Sequence, residues 1–277
     1  MLLQWATGGL LFLWVTTRRR EVGIGYGWLL RGVYAAMAVG SVVAGVAFRP
    51  DTGRDVCAAL AAAAALVVLA VSIVRRKAGV AGERERRARR ETRVAAMVGG
   101  TKRGDHPAEY RQEEFPAALD LVAPVIGAVG LVFAGAHAGG TQGLAVARTL
   151  VGAAFLGAVS DAMLLGHWYL VQPGLGRAPL LELVRWTAWT WPFEVAVMLW
   201  PPGMVRVLTG RIDDGWGGTL GWFWAACAAA TLILALVTRA ALKERAYSAV
   251  MAATGLLYLG ILTAFGTDLV ARAILAG

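Results

Sequence analysis

The chain has 277 residues, 58% hydrophobic and 16% charged, with a mean hydropathy of +0.60. Soluble domains carry roughly a quarter charged residues, so this composition is that of an integral membrane protein. The net charge of +9 comes from 27 Lys and Arg against 18 Asp and Glu, but the basic residues sit between apolar runs, which indicates membrane topology rather than a nucleic-acid partner.

A membrane-spanning helix needs ~20 mostly apolar residues at about 1.5 Å rise each. Eight runs are candidates: 2–17, 24–48, 55–74, 116–138, 143–171, 178–200, 216–238 and 247–275. The expected fold is all-α, a polytopic helical bundle of about eight transmembrane helices. It divides into helices one to three within 1–74, a basic loop over 75–115 and helices four to eight within 116–277, all one membrane domain. The first run is short and has no basic leader, so it does not read as a cleaved signal peptide. Arg18, Arg19 and Arg20 follow it, which places the N-terminus outside and this cluster in the cytoplasm. With that orientation, nineteen of the 27 basic residues fall in inner segments and both termini are predicted outside, as expected in a bacterial-type plasma membrane. The 75–115 loop is then cytoplasmic. Its first half is rich in helix formers and can extend the third helix until Gly99 and Gly100 break it. It reads either as a solvated topogenic loop or as a docking surface for anionic lipid or a partner subunit.

Several chemistries are disfavoured. Cys57 and Cys227 lie far apart, in no CxxC or CxxCH context, which argues against iron–sulfur ligation, covalent haem and a disulfide framework. Lys77, Lys102 and Lys243 all fall in cytoplasmic segments, so no intramembrane Schiff base is available. There is no GxxxxGK[ST] motif, and "GIGYG" at 23–27 follows no strand. His106 is in the loop, His137 at the outer end of its helix and His167 near the inner end of the next. That depth difference makes bis-His haem unlikely to form, leaving a single haem with one other ligand open. No metal site and no covalent cofactor is expected; quinone is compatible.

The remaining candidates are polar groups inside the apolar runs, each costing at least ~2.5–3.5 kcal/mol near the bilayer centre. Toward the inner side lie Arg31, Asp120, His167, Glu182 and Arg185; toward the outer side lie His137, Arg148, Glu194, Asp268 and Arg272; Asp161 and Tyr258 are nearest the midplane. In "SDAMLLGHWYLVQPG", an advance of about 100° per residue aligns Asp161, Leu165, Trp168 and Gln172 in one stripe. Ser160, Leu164, His167 and Val171 form the neighbouring stripe. This polar edge reads as a proton path or headgroup pocket; alternatively His167, Trp168 and Tyr169 form an interfacial belt and an arginine pairs with Asp161.

On the sixth helix Glu182 and Arg185 are spaced to pair, Arg185 and Trp189 to stack, and Pro192 to kink the helix just before Glu194. Glu194 serves an outer-side site or pairs with Arg148. On the last helix Gly255 and Gly266 suit close helix contact, Asp268 and Arg272 form an i,i+4 pair, and Thr254 and Tyr258 sit mid-membrane.

Eight spans without cofactor ligands, closing on Gly266, Leu269, Arg272 and Gly277, resemble the NrfD/polysulfide-reductase type of membrane subunit. The resemblance implies a subunit that anchors an iron–sulfur or molybdenum partner and handles quinol. Together with the polar edge, it leads to the expectation of an integral membrane subunit of a respiratory-type electron-transfer complex. Asp161, His167, Trp168 and Tyr258 would carry a quinone or proton route, and Glu194 with Arg148 would form a secondary polar cluster. Membrane lipids and other subunits would be its partners. A proton- or ion-coupled small-solute transporter, with Asp161 as the coupling carboxylate, and a purely structural subunit are the alternatives. A lipid-modifying enzyme is a further class, but no compact nucleophile–base motif supports it.

Overall fold

Each of the eight apolar runs becomes a helix, because within a low-dielectric slab a backbone can satisfy its polar groups only by bonding to itself. The computed structural model describes residues 1–19, 21–75, 115–138, 140–172, 175–201, 203–244 and 246–275. In chain order the helices are α1 (Leu2–Thr17), α2 (Ile24–Phe48), α3 (Thr52–Val74), a 3₁₀ turn (Ala117–Leu121), α4 (Val122–Ala136), α5 (Gln142–Val171), α6 (Ala178–Leu199), the short α7 (Met204–Leu208), α8 (Thr219–Ala241) and α9 (Tyr247–Leu275). No strand occurs among the described residues. Six segments are long and apolar enough to cross a bilayer, the property of a multi-pass membrane protein: α2, α3, the turn with α4, α5, α8 and α9. The 16-residue α1 is shorter than the rest, and α6 is not among the six. The expected extension of the third helix and its break at Gly99 and Gly100 lie outside the described residues, as do Arg20, Lys77, Lys102, His106 and Gly277.

Although α1 is the weakest span by length, it is the most enclosed by position. It packs against α2, α4, α5 and the 3₁₀ turn, and it is apolar on every side, as a helix with no solvent-facing or lipid-facing stripe must be. Close approach to α5 depends on paired glycines: a Cβ on Gly157 would lie 2.6 Å from the Gly8 Cα. On the next position of α1, Gly9 leaves room for the ring of Tyr34.

α5 is the spine. It contacts α1, α4, α6 and α9, and 67% of its apolar window is buried against 33–39% for the other five spans. Around it, α2 and α3 pair, α3 lies on α4, and α6, α8 and α9 close the far side. The chain alternates between two ends. One carries Arg18, Arg19, Arg177 and Glu244; the other carries Asp51, Arg54, His137, Arg148 and Arg272.

Candidate functional site

Asp161 lies on α5 at the centre of the bundle, with 0% exposure. One carboxylate oxygen, Oδ1, accepts a hydrogen bond from the Tyr34 hydroxyl, while Oδ2 has no partner among the described residues. The hydroxyl of Tyr26 donates to the Asp161 carbonyl at 3.3 Å. Beside it Ser160 Oγ accepts the Trp5 indole N–H at 2.7 Å. No guanidinium pairs with Asp161 among the described residues, so the structural arginine partner is replaced by a phenol. The sequence reading missed both tyrosines. Their signal was spacing: Tyr26, Leu30 and Tyr34 stand at i, i+4 and i+8 on α2 and are all essentially fully buried.

The two predicted stripes of α5 are present, but they face different neighbours. Trp168 belongs to the Asp161 stripe: its N–H donates to Gln172 Oε1 at 3.1 Å, and its ring meets Tyr26 at 5.8 Å. His167 turns toward α9, where its Nδ1 lies 2.9 Å from the Tyr258 hydroxyl, and both side chains are on the outer face of the bundle. One continuous path through Asp161, His167 and Tyr258 is therefore not formed. There is an enclosed centre at Asp161 and a separate outward-facing pair. Thr254, one turn before Tyr258, donates to the Gly166 carbonyl at 3.0 Å and fastens α9 to α5.

The other buried charges are mostly satisfied. Arg31 Nε and Nη2 reach both oxygens of Asp120 at 2.7 Å, and Thr17 adds a donor at 3.0 Å. Glu182 pairs with Arg18 and Arg19 across helices, not with Arg185 on its own helix, because α1 delivers its basic end directly above α6. α6 runs on through Pro192. Arg148 donates to the carbonyls of Val197 and Trp200 at 2.9 and 3.0 Å, where a helix end leaves carbonyls unpaired; it is among the cations around Glu194, with no hydrogen bond between the two among the described residues. Asp268 and Arg272 form the expected i,i+4 pair at 2.8 Å. Gly266 is packed against Cys227, whereas Gly255 faces open space and makes no close contact.

At the Asp51 end, Asp51 caps α3 by accepting the Arg54 backbone N–H at 3.0 Å and lies 2.8 Å from His137 Nδ1. That backbone bond holds the Asp51 carboxyl below its ordinary range, against partial desolvation and with help from the His137 ring. These residues line a cleft of about 410 Å³ with Arg49 and Arg54. A second cavity of about 190 Å³ opens between α1, α4 and α5, lined almost wholly by apolar side chains with Thr7 as its polar member. Neither is lined by Asp161. Among the described residues no three His, Cys, Asp or Glu side chains gather as metal ligands, and Cys57 and Cys227 are both free thiols. No protein-family model, curated protein or solved structure matches the chain.

Proposed function

We propose that this chain is an eight-span integral membrane subunit of an electron-transfer complex in a bacterial-type plasma membrane. Its termini are outside and its Arg18 end and 75–115 loop are cytoplasmic, where the loop meets lipid or a redox subunit. The resemblance to polysulfide-reductase-type subunits implies the anchoring of a redox partner and the handling of quinol; the orientation comes from the distribution of basic residues. The observation that carries the reading is the His167–Tyr258 pair, hydrogen-bonded at 2.9 Å on the outer face of the bundle. A quinone headgroup needs a donor or acceptor at each oxygen, a titratable group and apolar surroundings. The pair leaves His167 Nε2 and the phenol oxygen to meet a headgroup, and Leu170 and Leu262 stand exposed one turn away on the same faces. Asp161, on the neighbouring stripe of α5, is the proton-handling group of this reading.

The test is purification with native lipids, followed by quinone extraction and identification of co-purifying chains. Bound quinone that falls at least tenfold in His167→Ala and Tyr258→Phe, with a redox subunit present, is expected; a preparation with neither quinone nor redox subunit rejects the reading. That no guanidinium pairs with Asp161 among the described residues also favours a second reading, a proton- or ion-coupled small-solute transporter. Uptake by proteoliposomes containing this chain alone, abolished in Asp161→Asn, would select it.

A further inference from the structure

Among the described residues, Glu194 is a buried carboxyl group with both oxygens unpartnered. It lies on α6 toward the Arg148 end with 0% exposure, and neither carboxylate oxygen has a hydrogen-bond donor among the described residues. A carboxylate in that position has lost its water without gaining a hydrogen-bond donor, and burial penalises its charged form. The Glu194 carboxyl faces that of Asp268 on α9, with Arg272 and Arg148 as the surrounding cations. Two ionised carboxylates have only lone pairs to present to each other, and they repel; with one proton between them the same contact becomes a short, charge-assisted hydrogen bond.

The surroundings decide which acid holds the proton. Asp268 is also 0% exposed, but it receives Arg272 Nε at 2.8 and 2.9 Å and Gln4 Nε2 at 3.2 Å. Arg272 is fixed in turn by donating to the Arg148 carbonyl at 2.6 Å. Gly152 on α5 makes the cluster possible: a Cβ there would lie 2.6 Å from Arg272 Nη2 and 2.7 Å from Asp268 Oδ1. Just before α1, the Met1 amino group feels the charges of Asp268, Arg272 and Arg54, and α8 brings the uncharged Trp224 and Ala225 into the neighbouring apolar cluster. Asp268 is therefore compensated as an anion, and Glu194 is not.

We infer that Glu194 and Asp268 form a one-proton binding site, a carboxylic acid on α6 hydrogen-bonded to a carboxylate on α9. The bound proton resides on Glu194, and Arg272 and Gln4 hold Asp268 in position. The site requires no quinone and no second subunit, so its test is separate from that of the electron-transfer reading.

Infrared spectroscopy of the purified full chain in nanodiscs provides the test. The carbonyl stretch of a protonated carboxyl is expected at neutral pH, shifting on ¹³C-carboxyl labelling of glutamate in the unaltered chain and lost in Glu194→Gln. That variant should keep the unfolding temperature of the unaltered chain, because an amide copies a neutral acid and still donates to Asp268, whereas Glu194→Ala should unfold earlier. A neutral-pH spectrum with no glutamate-sensitive protonated band overturns the proposal. So does a Glu194→Gln chain that unfolds as early as Glu194→Ala, since that would mean an ionised Glu194 paired with Arg148 or Arg272.

Discussion

Tyr34 determines what Asp161 experiences. Among the described residues this carboxyl group has no guanidinium and one donor, a phenol on the facing helix, and the two are linked across 127 residues of sequence. Tyr34→Phe removes that donor while preserving the ring packed on Gly9, and it should destabilise the chain by about 1–3 kcal/mol, the penalty for an orphaned buried acceptor. Tyr26→Phe should cost less, because the Asp161 carbonyl that it serves also belongs to the α5 ladder. Unfolding midpoints in detergent give the order. Asp51 shows the opposite situation, a carboxyl stabilised by geometry. As N-cap of α3 it accepts the Arg54 N–H, so Asp51→Ala should cost about 0.5–2 kcal/mol. Because its folded-state pKa is depressed, that contribution is complete above the unfolded value and is lost as pH falls through the folded one. The stability gap between the unaltered chain and Asp51→Ala should hold constant near neutrality and narrow below about pH 4, measured as unfolding midpoints across pH.

At the scale of elements, buried ion pairs fix which helices meet. Arg31 of α2 and Asp120 of the 3₁₀ turn, exposed by 3% and 5%, bring those segments together around Thr17 of α1. Breaking such a pair leaves a lone buried charge, so Arg31→Ala should cost about 3–5 kcal/mol, while Arg31→Met combined with Asp120→Leu should recover most of it. Equilibrium unfolding of the single and double variants separates the pair's role in register from its contribution to stability. Helix contacts were only partly legible. The Asp268–Arg272 pair was readable because both partners lie on one helix at fixed spacing. Glu182 was misassigned to Arg185 for the converse reason: local spacing permits a pair but says nothing of a stronger partner arriving from α1. Gly255 and Gly266 share one helical face in sequence, yet only Gly266 meets another helix, since a small residue permits close approach without causing it.

For the whole molecule, the asymmetry of basic residues carries the proposed orientation. Single cysteines in a background lacking Cys57 and Cys227 would report it with a membrane-impermeant maleimide. Asp213→Cys, between α7 and α8, should label in intact spheroplasts, and Glu244→Cys, between α8 and α9, only after permeabilisation; reversed labelling would invert the chain. The sequence by itself determined the helices and their ends to within a few residues, because hydrophobic length and turn residues act over a single segment. It also picked out Asp161 and Glu194 as groups in need of an explanation. Only the tertiary structure decided what surrounds them: that Asp161 meets a tyrosine, that Glu194 is enclosed without a hydrogen-bond donor among the described residues, and that the short α1 is enclosed by α2, α4 and α5. Those outcomes depend on which helix faces which. Apolar periodicity says little about this where nearly every face of a helix is apolar, and contacts between distant segments are set by packing the whole bundle at once.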